Sequence, residues 1–187
     1  MSRWGPDADD RLYQAAMQLI LERGYDGVTV AEIAEHAGLK KRSFFRYYAD
    51  KREVLFAGAA DFENAVVEAV RAAPSTVEPI DAVMAALTEG GTGLTNWGEP
   101  ARARQRIVAS STELRERELI KLDALATAVA GALRHREVED LTATLVARVG
   151  VAAFITAFEQ WTEAEAPGDF AALMDDAHAH LRAAIAV

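Results

Sequence analysis

Apolar residues recur along this chain at helical spacing, and nowhere do apolar and polar residues alternate as they do in a half-buried strand. Leu12, Ala15, Ala16, Leu19 and Ile20 share one face of a helix predicted over 9–23, with Gly24 suited to the left-handed residue that ends it. After a turn through Tyr25, Asp26 and Gly27, the run Thr29-Val30-Ala31-Glu32 has the form of a capping box. There the Thr29 hydroxyl takes an orphan backbone N–H and Glu32 reaches back to the cap. A second helix starts at that point, apolar at Val30, Ile33, Ala34 and Ala37, and Gly38 stops it. So short a helix is not stable alone and depends on its neighbours.

A third short helix follows Leu39 and runs to Tyr48, with Phe44 and Tyr48 turned inward while Arg42, Ser43 and Arg46 point away. Asp50, with Glu53 at the third position, caps a fourth helix expected over 50–72. Leu55, Ala59, Phe62, Val66 and Val70 mark its buried side, and it is expected to bridge two domains. Beyond Pro74 the chain is rich in Ala, Leu and Glu, and helices are predicted over 78–89, 100–111, 112–134, 138–163 and 169–186. Gly90, Gly91 and Gly93 interrupt or loosen the first of these, and Pro167-Gly168 separates the last two. The fold class is all-α.

Of the 187 residues 51% are apolar and none is cysteine, which fits a packed globular chain and excludes disulfides, thiolate metal sites and a cysteine nucleophile. Residues 1–10 carry three aspartates and no apolar stretch, so no signal peptide is expected there, and no run approaches the roughly 18 apolar residues of a membrane span. A cytoplasmic protein without a membrane partner is expected. The net charge of −9 argues against a nucleic-acid partner until it is divided along the chain. Residues 1–53 balance nine basic against nine acidic residues, and within them 38–52 holds Lys40, Lys41, Arg42, Arg46, Lys51 and Arg52 against Asp50 alone. An anionic partner fits that segment.

Two short helices joined through Gly38, the second basic and aromatic, have the spacing of a helix-turn-helix, whose second helix enters the major groove of double-stranded DNA. Residues 27–39, then Lys41-Arg42-Ser43-Phe44-Phe45-Arg46-Tyr47-Tyr48, then Asp50-Lys51, closely resemble the N-terminal domain of TetR-family regulators. The resemblance covers roughly residues 10–60. It implies an N-terminal three-helix helix-turn-helix domain over 1–53 and a C-terminal helical ligand-binding and dimerisation domain over 54–187. It also implies a regulator, most often a repressor, that holds a palindromic operator as a homodimer until a small-molecule effector releases it. Carried over by position, the DNA-binding residues are Thr29, Lys41, Arg42, Ser43, Phe45, Arg46, Tyr47 and Lys51, with Lys40 adding charge. Arg42 is the expected base reader, because Arg grips guanine bidentately. Two departures stand out. Lys40 occupies a position where the family often has a capping Ser or Thr, and Phe45 one where it commonly has a phosphate-bonding Tyr.

In the helix over 138–163, Val146, Gly150, Ala153 and Ala157 form a stripe of small residues, and Val151, Phe154, Phe158 and Trp161 a bulky one. The small stripe, with Phe170, Met174, Ala177 and Leu181 on the last helix, is expected to meet a partner subunit. Phe62, Met84, Leu87, Trp97, Phe154, Phe158 and Trp161 are expected to line an apolar ligand pocket. Both stripes also suit the core of a single chain. No catalytic residue, metal or cofactor is expected: Gly90-Gly91-Thr92-Gly93 lacks the lysine and flanking strand of a phosphate loop, and His178 and His180 point to different sides of a helix. Two alternatives stay open, a ligand-independent architectural DNA binder and a helical ligand-binding protein without operator binding.

Overall fold

A computed structural model describes residues 8–165 and 168–185. Among them are nine α-helices, one 3-10 turn and no strand, in agreement with the expected all-α class. The helices are α1 (Ala8–Arg23), α2 (Val30–His36), α3 (Lys41–Tyr47), α4 (Ala59–Ala72), α5 (Pro79–Thr95), α6 (Glu99–Ser110), α7 (Thr112–His135), α8 (Asp140–Glu163) and α9 (Phe170–Ile185), with the 3-10 turn at Glu53–Phe56. Pro167, residue 186 and most of 1–10, which the sequence analysis singled out, lie outside the described residues.

The chain divides into two compact units, one of residues up to Gly58 together with Ala103–Glu118, the other of Ala59–Arg102 and the chain from Leu119 onward. In the first, α1 packs on α2 and on the 3-10 turn, and α2 packs on α3. Leu12, Ala16, Ile33, Ala34, Phe44 and Val54 are fully buried there, so the short α2 and α3 are held by a shared core. Polar bonds tie in the distant 103–118 segment. Arg104 donates to the Leu55 carbonyl at 3.1 Å and pairs with Glu118 at 2.8 Å, its guanidinium lies 4.8 Å from the Phe56 ring centre, and Arg117 pairs with Glu53.

Asp50 caps as expected, its Oδ1 accepting from the Arg52 N–H at 2.8 Å and the Glu53 N–H at 3.2 Å. The helix expected over 50–72 is nevertheless broken. Val54, Leu55 and Phe56 are all buried, and three successive positions span too wide an arc for one face of a surface helix. A 3-10 turn carries them instead, Ala57 is extended at φ −52° and ψ 137°, and Gly58 at φ +78° redirects the chain into α4.

In the second unit α5 packs on α4, α8 and α9, and α8 packs on α9. Their core gathers Val66, Val70, Val83, Leu87, Val129, Leu133, Phe154 and Phe170 among others. The expected interruption at Gly90, Gly91 and Gly93 is absent, since α5 continues to Thr95. The first two glycines serve close packing: a Cβ on Gly90 would stand 2.7 Å from the Phe62 ring, and one on Gly91 would collide with Phe170. Gly150 of α8 likewise faces Val83 of α5.

α8 corrects the expectation about membrane-length segments. It has 24 residues and an 18-residue window of mean hydropathy 1.8, long and apolar enough by length and composition to cross a membrane. Residues 141–158 carry one charge, Arg148; their leucine, valine, alanine, isoleucine and phenylalanine keep the average high, while Arg148 and three threonines prevent an unbroken apolar run. One face lies in the core of the second unit through Ala143, Ala147, Gly150, Phe154, Ala157 and Trp161.

Candidate nucleic-acid interface

The turn into α3 is set by Gly38, at φ +68°, with its N–H on the Glu35 carbonyl at 2.9 Å and the Leu39 N–H on the Ala34 carbonyl at 2.8 Å. Lys40 then occupies the N-cap of α3 and makes no side-chain cap bond, because an ammonium cannot accept from a backbone N–H. Packing orients the helix instead. Phe44 is fully buried, its ring centre 5.4 Å from Tyr48 and 5.6 Å, edge to face, from Phe45. With Phe44 and Tyr48 inward as expected, Lys40, Lys41, Arg42, Phe45 and Arg46 are exposed and Ser43 and Tyr47 half-buried.

The side chains of Lys40, Lys41 and Arg42 make no hydrogen bond or ion pair among the described residues, so their charges face solvent uncompensated. Arg46 and Tyr47 engage each other: a guanidinium N–H donates to the Tyr47 hydroxyl at 2.8 Å and the group lies 4.9 Å from the ring centre. Such a face suits a polyanion, its ammonium and guanidinium groups able to meet phosphate oxygens and the acceptor edge of guanine.

Thr29 and Glu32 close the capping box. The Thr29 hydroxyl accepts from the Glu32 N–H at 3.3 Å and donates to the Glu32 carboxylate at 2.7 Å, and the Thr29 N–H reaches the same oxygen at 2.8 Å. Arg23 adds an ion pair at 2.7 Å. The Thr29 hydroxyl first and Arg23 second hold the Glu32 carboxyl down at about 2. The single hydroxyl proton of Thr29 is thus committed to Glu32 while the box is closed. Lys51 is half-buried, donates to the Tyr25 carbonyl at 2.8 Å and the Val28 carbonyl at 3.1 Å, and sits 3.9 Å from the Tyr25 ring centre. Two of its three protons pin the α1–α2 turn, a role that sequence reasoning missed because the partners are backbone atoms more than twenty residues away.

In the second unit, Phe62, Phe154, Phe158 and Trp161 do come together, joined by Phe170, with ring centres between 5.5 and 6.3 Å apart. Leu87 is fully buried beside Gly150, and Met84 also borders an open groove of about 400 Å³ lined by Asp81, Thr88, Glu89, Met174, Asp175 and His178. Trp97 departs from the expected pocket, standing 61% exposed just past the end of α5. Part of the small-residue stripe lies inside the chain: Gly150, Ala157, Phe170 and Met174 are buried, with Gly150 against Val83 of α5. Val146, Ala153, Ala177 and Leu181 are half-buried.

A short capped helix, a glycine turn and a basic recognition helix on an all-α frame define a helix-turn-helix regulator. Residues 12–57 match the model of bacterial regulatory proteins of the tetR family, and residues 77–186 match the MftR C-terminal domain. The chain belongs to the TetR family of transcriptional regulators. It is 34% identical over 77 residues to the HTH-type transcriptional regulator TcmR of Streptomyces glaucescens, a match spanning 41% of this chain and about a third (34%) of that protein. Two solved structures share the fold. FadR of Thermus thermophilus, a repressor in complex with lauroyl-CoA, has a TM-score of 0.61 at 20% identity, covering 96% of this chain and 95% of its own. SmeT of Stenotrophomonas maltophilia, bound to triclosan, has 0.65 at 18%, covering 94% and 91%.

Proposed function

We propose that this chain is a ligand-responsive repressor that binds a palindromic operator as a homodimer. The uncompensated outer face of α3 carries this reading: Lys41 and Arg42, whose side chains have no partner among the described residues, would contact a phosphate and a guanine, with Ser43, Phe45, Arg46 and Tyr47 beside them. Lys40 would add to the phosphate attraction. Thr29 and Lys51 would contribute mainly by shaping α2 and the turn before it. Residues 1–53 would serve as the DNA-binding part and 54–187 as the effector and dimer part, working in the cytoplasm.

The second copy would dock on the outer side of α8. Leu141 and Leu145 stand 63% and 54% exposed there, and only 33% of the apolar window of α8 is buried within its own chain. Two-fold pairing would place two α3 helices for two half-sites.

SmeT carries triclosan and FadR lauroyl-CoA. For this chain the effector would be a largely apolar small molecule that enters by parting the rings of Phe62, Phe154 and Phe158, bordered by Leu87 and Trp161. Release follows from linkage, since the effector must bind the non-DNA-binding form more tightly. The contact of Phe154 with Phe62 and Phe158, at ring-centre distances of 5.5 and 5.9 Å, favours one alternative, a ligand-independent architectural DNA binder. The test is enrichment of duplexes from a random pool by the purified protein, then a screen of apolar compounds for release. A palindromic consensus released by a compound supports the proposal, whereas binding without dyad symmetry that no compound relieves supports the alternative.

A further inference from the structure

Phe45 is the one large apolar side chain that α3 exposes, at 51%, while its neighbour Phe44 is fully buried. It lies four residues after Lys41 and three after Arg42, in the middle of the charged stripe, so a surface that meets DNA through those cations brings the ring against the duplex as well. Its edge-to-face contact with Phe44 at 5.6 Å, on a fully buried ring, limits its freedom to turn away. Phenylalanine has neither donor nor acceptor, so a phosphate contact would strand that oxygen against hydrocarbon. In the major groove the apolar group that a base presents is the C5 methyl of thymine.

We propose that Phe45 is a specificity-determining residue that packs on the C5 methyl of one thymine in each half-site. The inference rests on the operator-binding reading above and adds to it the chemistry of one base position.

Each thymine of the enriched duplex is replaced in turn by deoxyuridine, which removes the methyl and leaves every hydrogen bond of the pair. Wild type is expected to lose about threefold to fivefold in affinity at one thymine per half-site, the worth of one buried methyl, and little elsewhere. Phe45→Ala, at an exposed position that leaves the fold intact by circular dichroism, is expected to bind the thymine and uracil duplexes equally. Phe45→Leu keeps part of the difference, and supplies the ratio if the alanine variant binds too weakly to measure. Two results overturn the inference while operator binding stands: no thymine responds to loss of its methyl, or the same thymine responds equally in Phe45→Ala. Failure to enrich any duplex overturns operator binding and this inference together.

Discussion

Glu32 holds the entrance of α2 through its carboxylate, which takes two bonds from Thr29 and one from Arg23 and needs to be ionised for them, while its backbone N–H donates to the Thr29 hydroxyl. Its folded value of about 2 lies below the ordinary 4.5, so its contribution to stability is complete above about 4.5 and is lost as the pH falls toward 2. Glu32→Gln should therefore melt below wild type at neutral pH, with the gap closing between pH 4.5 and 2. Melting curves by circular dichroism across that range check this, and a gap independent of pH would remove the ion from the account. Arg42 and Lys51 should differ in kind. Arg42→Ala should cost about 1–3 kcal/mol of operator affinity, relax one base position and leave the melting temperature alone. Lys51→Ala should weaken all sequences alike and also lower stability by about 1–3 kcal/mol, because the Tyr25 and Val28 carbonyls lose a charged donor. Parallel affinity and thermal measurements separate the two, and unchanged stability in Lys51→Ala would mean that its bonds to the turn carry no weight. The capping box was legible in the sequence because Thr29 and Glu32 are three residues apart and local rules govern them. The partners of Lys51 were not, because only the folded turn brings them near.

Helices were legible wherever apolar residues repeat on one face, and α1 and α7 fall within a residue of their expected ends. The failures lie where a residue's meaning depends on what packs against it. Gly90 and Gly91 read as breaks, since glycine weakens an isolated helix, yet α5 needs them to admit Phe62 and Phe170. Glycines of this one helix should respond in opposite ways. Gly91→Ala forces a methyl into the Phe170 ring and should destabilise by about 1–3 kcal/mol. Gly93→Ala, with nothing within 4 Å of its added methyl, should be neutral or stabilise by up to about 1 kcal/mol. Urea unfolding monitored at 222 nm compares them, and equal effects would contradict the packing explanation. The break before α4 escaped prediction for a similar reason: Leu55 fits a helical stripe, but Val54 and Phe56 are buried beside it.

At the scale of the whole molecule, sequence periodicity separates the two faces of α8 but does not tell which neighbour covers each. Gly150 packs against Val83 of α5 and Ala157 is buried, while the leucines at 141 and 145 are left outside. Nor does any local pattern announce that Ala103–Glu118 belongs with the N-terminal helices, where Arg104 reaches Leu55 and Phe56 and Arg117 reaches Glu53 from about fifty to sixty residues away. If the outer side of α8 joins two copies, the double change Leu141→Asp and Leu145→Asp should yield a helical monomer at micromolar concentration by light scattering, where wild type is a dimer. A wild-type monomer, or a variant that stays dimeric, would move the interface elsewhere.

Operator binding, as proposed, depends on the cations that the outer face of α3 presents to solvent. Fluorescence anisotropy of the enriched duplex, titrated with wild type and with the Lys41→Ala/Arg42→Ala variant over a range of salt concentrations, tests it most directly. Tight wild-type binding that weakens with salt, and a variant that binds more weakly with a shallower salt slope by about 1 to 2, is the predicted result. Equal affinity and equal slope for the two proteins would contradict the account.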